Sequence, residues 1–184
     1  LFEADNIQES MKVQTSIADD IRRSAIFVTI FASLGIFLYL LFRFRKWQFG
    51  VGALAAVLHD ILFIMGVFSI FQGLLPWSME INQAFIAALL TIIGYSINDT
   101  VVIFDRVREF LTEHPTTDLE TNTNNAINST VSRTLITSLT TLFVVIILLI
   151  FGGESIRGFS FALFLGILVG TYSSIFIATP ITLV

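Results

Sequence analysis

Hydrophobic positions along this chain gather into five long runs, at about 24–42, 49–71, 82–105, 133–151 and 158–180, joined by polar links. Each run is close to the roughly 20 residues that an α-helix needs to cross the hydrocarbon of a bilayer. The pattern predicts an all-α membrane protein, a bundle of five transmembrane helices. Ahead of the first run, residues 1–22 are polar, with Ile7, Met11, Ile17 and Ile21 set among charges. Ser16 followed by Asp19 has the spacing of a capped helix start, which makes this stretch either an amphipathic helix entering the membrane or a surface linker. The longest link, 111–128, is rich in Thr, Asn, Asp and Glu and contains Pro115. It predicts a loop within a polar segment of about 106–132, with room for a short amphipathic helix.

The placement of Lys and Arg orients the spans. Arg43, Arg45 and Lys46 lie between the first and second, and Arg106, Arg108 and Arg133 between the third and fourth. The stretch 72–81 has no basic residue, and the last link has only Arg157. Basic links favour the cytoplasm, so the expected topology is N-out and C-in, against the vote of Lys12, Arg22 and Arg23. An N-out start leads to the expectation of a longer natural chain, in which an earlier span and an outer domain precede this piece and make six spans.

Composition agrees with the pattern. Hydrophobic residues make up 55% of the 184 and charged residues only 13%, about half the charge of a soluble domain. There is no cysteine, which removes disulfides and thiolate chemistry. His59-Asp60 has too few ligands for a metal and His114 sits in a polar link, so no metal or other cofactor is expected. The basic residues sit at membrane edges, which argues against nucleic acid and for contact with lipid headgroups.

Candidate chemistry lies in the polar residues within the spans. Asp99 follows the apolar run 85–93, and an acid at that depth faces the protein interior and marks an ion or proton path. Thr91, Tyr95 and Asn98 form a stripe beside it at helical spacing. Arg133 opens the fourth span, and Thr137, Thr140 and Thr141 continue its face. His59 and Asp60 sit mid-way along the second span, after Gly52, Ala55 and Ala56 on one side of the helix. Three polar faces must meet one another or water, so a hydrated polar seam is expected. The plainer readings are threonines bonded to their own backbone, a structural His59–Asp60 pair, and a fixed Asp99–Arg133 salt bridge. The sharper one is a proton-exchanging Asp99, its protonation set by the contest between burial and the guanidinium of Arg133. Gly166-x-x-x-Gly170 in the fifth span has the spacing of a close helix contact.

The stretch Gly94-Tyr95-Ser96-Ile97-Asn98-Asp99-Thr100-Val101-Val102-Ile103-Phe104-Asp105-Arg106-Val107-Arg108-Glu109 resembles the signature of the SecD/SecF protein-export family, on its SecF side. His59-Asp60, Ser132 to Thr141, Phe151-Gly152-Gly153, Gly158-Phe159-Ser160 and Gly170 to Ile175 match the same family in order. The resemblance covers roughly residues 13–184, with Gln14-Thr15 where the family often has Gly-Pro. It implies a bacterial inner-membrane subunit, part of a six-helix half similar to resistance-nodulation-division transporters. Residues 1–23 would then end a periplasmic domain and 24–184 form the membrane domain. It also implies partnership with SecD beside the SecYEG channel, preproteins as cargo, and the proton gradient as driving force. By motif, Asp99 is the proton carrier and Arg133 its partner, with Tyr95, Asn98, Thr137, His59 and Asp60 as supporting groups. On this reading the chain is not an enzyme: proton entry neutralises Asp99, weakens its attraction to Arg133 and shifts the third and fourth spans.

Three other classes use some of the same residues. A proton-coupled exporter of small molecules or lipids shares the buried acids but not the match through Asp105-Arg106 and Ser132 to Thr141. An intramembrane aspartyl protease would need two acids sharing a proton, yet Asp60 and Asp99 follow His59 and Asn98 rather than that class's Tyr-Asp and Gly-x-Gly-Asp. In a passive assembly subunit the seam is glue.

Overall fold

The computed structural model describes residues 23, 24 and 26–183. The proposed Ser16 cap and the rest of residues 1–22 lie outside them. Among the described residues, five helices are long and apolar enough to cross a membrane: α1 (Ile26–Phe44), α2 (Trp47–Phe71), α3 (Gln83–Glu113), α4 (Leu119–Phe151) and α5 (Glu154–Ser173). The last continues through a π-helical turn (Ser174–Ala178) and a closing α-turn (Thr179–Ile181). Exposed Phe42, Phe143 and Phe151 form part of the outer surface expected to meet lipid.

The turn from α1 to α2 takes only residues 45 and 46. Arg45 makes it possible by adopting the left-handed conformation (φ 56°), and its N–H donates to the Leu41 carbonyl at 2.9 Å. This is the geometry that glycine usually supplies at a helix C-terminus. Nearby, Arg43 Nη2 donates to both oxygens of Asp105, at 3.0 and 3.2 Å. That ion pair puts the first and third links at the same end of the bundle.

At about 1.5 Å per residue, α3 is roughly 46 Å long and α4 roughly 50 Å, well beyond ~30 Å of hydrocarbon. The link expected as loop over 106–132 is helix except at 114–118. Capping and tertiary bonds explain why its polar composition did not prevent this. The Asp118 carboxylate accepts from the Thr121 N–H at 2.8 Å, and buried Asn122 donates to the His114 and Thr117 carbonyls. Arg106 reaches across from α3 to the Ser129 hydroxyl (3.1 Å) and covers the Phe110 ring. The bonds from the backbone and hydroxyl of Thr121 hold the Asp118 carboxyl below the ordinary value of 3.8. A lowered folded-state value means the cap is fully present above 3.8 and is lost as pH falls through the lower, folded value. The protection factors of amides in the first turn of α4, taken against the intrinsic exchange rate at each pH, should therefore fall with acidification in that range, and Asp118→Ala should leave them low at every pH.

The bundle closes around α5, which packs on α2, α3 and α4. Gly166 and Gly170 form its contact with α3: a Cβ at Gly166 would run into the Ile92 side chain, and one at Gly170 would lie 3.2 Å from that of Ser96. Gly52 of α2 meets the π-helical turn backbone to backbone, where an added Cβ would sit against the Ala178 carbonyl oxygen. Backbone cannot rotate away, so Gly52→Ala should cost about 1–3 kcal/mol as overpacking, read as a lower midpoint for unfolding of the purified membrane complex. Two apolar cores bracket the middle. One holds Ile64, Phe68, Phe85, Ile92, Leu142 and Leu163, and the other Leu40, Phe44, Phe49, Ala56, Phe104 and Ala178. Asp60 of α2, Ser96 and Asp99 of α3, and Thr171 and Ser173 of α5 fall between them along their helices.

Candidate functional site

Asp99 is on α3 and 3% exposed. Its inward direction follows from helical spacing, because Ile92, Ser96, Asp99, Ile103 and Val107 all lie on the buried side. The Ser138 hydroxyl of α4 adjoins the carboxyl group, and the charge of Arg133 acts on it from farther off. Buried Oδ2 nevertheless receives no hydrogen bond. An unpaired buried carboxylate oxygen costs about 1–3 kcal/mol or more, and two events relieve that cost: binding a proton, or the approach of a donor.

Asp60, 1% exposed, is the opposite case. Its Oδ2 accepts from Ser96 Oγ of α3 at 2.7 Å and from Ser173 Oγ of α5 at 2.8 Å. His59 Nδ1 lies 3.2 Å from Oδ1 and donates to it when that nitrogen carries the ring proton. Three donors for two oxygens use the capacity of an acceptor-only carboxylate well. The result ties α2, α3 and α5 together at one level. Asp60, not His59, points inward. The His59 side chain is 37% exposed and packs near Phe63 and Tyr172.

The other residues expected at the seam divide. Tyr95 reaches α4, donating to the Thr137 carbonyl at 3.0 Å and bonding the Thr141 hydroxyl. Thr137 and Thr140 bond their own helix, to the Arg133 and Ile136 carbonyls, as does Thr91 to Ala87. Asn98 and Arg133 are exposed. No ion pair joins Arg133 to Asp99 among the described residues, and its side chain lies on the outer face of α4 beside Thr137 and Thr140. Nor does any group of three or more His, Asp or Glu side chains come close enough to hold a metal ion among them.

The family profile described as "Protein export membrane protein SecD/SecF, C-terminal" matches residues 2–184. The chain belongs to the SecD/SecF family. It is 54% identical over 176 residues to the protein translocase subunit SecF of Rhodothermus marinus, a match covering 93% of this chain and 57% of that protein. With SecF of Cereibacter sphaeroides it shares 45% over 171 residues, covering 93% and 51% respectively. Brucella abortus has a protein translocase subunit SecDF of which this chain, at 44% identity, matches 23%, using 98% of its own length. Among solved structures, the crystal structure of SecDF in its super-membrane-facing form superimposes with a TM-score of 0.79 at 42% identity, covering 89% of this chain and 21% of that one. The chain thus spans about half the length of the SecF proteins it matches.

Within this SecD/SecF bundle, residues that the hydropathy pattern passed over make the connections. Ser96, Ser138, Thr171 and Ser173 are among the hydroxyls that bridge helices. A signal for Ser138 exists in the sequence: Thr130, Thr134, Ser138 and Leu142 recur every four residues and all are buried. That stripe lies one residue round from the Arg133, Thr137 and Thr141 face, which carries the more polar side chains.

Proposed function

We propose that this chain is the membrane part of a SecF subunit that works with SecD in the bacterial inner membrane, using the proton gradient to promote export of preproteins through SecYEG. The single observation that supports it most is the Asp99 carboxyl group, buried on a helix long and apolar enough to cross a membrane, with one oxygen lacking a donor, in a family of export proteins. Asp99 carries the proton. Arg133, near enough for its charge to act and not locked in an ion pair, supplies the compensating charge when the proton leaves. Basic residues at the end marked by the Arg43–Asp105 pair face the cytoplasm, and the chain performs no covalent chemistry.

Support for the partnership with SecD comes from the outer face of α3 and α4. Thr91, Gly94, Asn98, Arg133 and Thr140 are exposed there, and an asparagine or arginine at membrane depth must face protein or water rather than lipid. The membrane half of SecD covers this face and satisfies Asn98. Asn98→Leu should therefore weaken recovery of SecD with the tagged subunit. Export assayed in inverted vesicles, with SecD and SecF present and an imposed proton gradient, tests the function as a whole. A stimulation by the gradient that survives removal of this subunit would overturn it. The reading as passive glue rests on the knot at Asp60, which has its donors and needs no proton. It predicts that substitutions at Asp99 lower complex levels and export together.

A further inference from the structure

The hydroxyls between Asp99 and α5 form a chain in which each oxygen has one hydrogen to give. Thr171 Oγ1 has one hydrogen and donates it to the Ile167 carbonyl at 2.8 Å. While Thr171 keeps that bond, it accepts from Ser138 Oγ at 2.7 Å, and the single hydrogen of Ser138 goes to α5. Asp99 also adjoins Ser138, and its Oδ2 is unpaired, so the carboxyl group competes with Thr171 for that hydrogen. A protonated Asp99 would complete the series, its O–H donating to Ser138 Oγ, Ser138 to Thr171 and Thr171 to Ile167. An ionised Asp99 instead draws the Ser138 hydrogen to itself, and Thr171 keeps its contact with α4 only by turning its own hydrogen from the Ile167 carbonyl toward Ser138. One hydrogen cannot serve both acceptors.

We propose that Ser138 is a positioning residue that reports the protonation state of Asp99 to α5, donating to Thr171 when the acid is neutral and withdrawing that hydrogen when the acid is charged. The inference rests on the reading of Asp99 as the proton carrier. Two residues beyond Thr171, Ser173 is tied to Asp60, and the π-helical turn follows directly, so a change at Thr171 enters α5 where it is bonded to α2. Arg133 on α4 is the group whose charge acts on Asp99, and Tyr95, on the same helix as Asp99, is bonded to α4. On α2, Asp60 has its own donors and His59 is paired with it. On α5, Tyr172 is exposed.

These 184 residues contain no cysteine, so once any cysteine elsewhere in the complex is replaced, labels introduced here stand alone. Spin labels at Leu139→Cys and Leu168→Cys, exposed positions on α4 and α5, report their separation by pulsed electron resonance in the assembled full-length complex in lipid nanodiscs. The expected result is a distance distribution that shifts with pH, that loses the shift in Ser138→Ala, and that keeps it in Ser138→Thr, which retains a hydroxyl. Asp99→Asn, whose amide donates to Ser138 as a neutral acid would, should hold the low-pH distribution at every pH. A shift that persists in Ser138→Ala while Asp99→Asn abolishes it overturns the role of Ser138 and leaves the proton carrier standing. A shift that persists in Asp99→Asn overturns the carrier itself, and no shift in the parent overturns the coupling.

Discussion

Asp99→Asn is expected to bring proton flux and gradient-stimulated export to background while the complex stays at its normal level and becomes no less stable. The amide has the shape of the acid, so packing against α4 is kept. What is lost is the capacity to bind and release a proton at that buried position. The parent holds a buried carboxyl oxygen without a donor, a state that costs about 1–3 kcal/mol. A neutral side chain at that position removes the part of the cost that belongs to charge, so thermal unfolding of the purified complex should be unchanged or shifted upward. The paired readout is what gives the experiment its force. Flux gone with stability intact identifies a working group. Flux intact would end the mechanism proposed here, and flux and assembly falling together would favour the glue reading.

The second large effect belongs to stability. Ser96→Ala combined with Ser173→Ala should destabilise the bundle by about 1–3 kcal/mol for each donor removed, because Asp60 would remain buried with His59 alone. The loss should be recovered in good part by adding Asp60→Leu, since a buried polar cluster replaced as a whole by apolar side chains is often neutral. Denaturant-induced unfolding of the complex in mixed micelles distinguishes the double from the triple variant. If the double variant unfolds like the parent, the knot at Asp60 contributes nothing, and the convergence of α2, α3 and α5 there needs another cause.

The fold class and the family were legible in the sequence, because five apolar runs leave few other solutions and the motif through Asp99 is long. The inward placement of Asp99 was legible for a physical reason, since a carboxyl group has nowhere else to go in hydrocarbon. The faces of the helices were less so. Arg133, Thr137 and Asn98 look like the interior because they are polar, but threonine satisfies itself on its own helix, and an exposed polar residue in a span can be waiting for a partner. Serine carries little weight in a hydropathy pattern, yet Ser96, Ser138 and Ser173 make bonds between helices. The long link 106–132 read as loop from its polar composition. The Asp118 cap and the Asn122 bonds to the turn, which make it helix, depend on positions rather than on composition.

The π-helical turn at Ser174–Ala178 has a consequence for anyone who aligns or edits this span. A π turn holds about one residue more than an α turn, so past Ser174 the chain is a residue out of phase with the helix above it. A helical wheel drawn through the whole of the fifth span therefore assigns the wrong side to Ile177, Ala178 and Thr179. The same surplus makes this the place in the span best able to give up a residue. Deleting Ile175 would let the turn relax to ordinary α geometry with the lower segment unrotated, whereas a deletion at Leu165 would swing everything below it by about 100°.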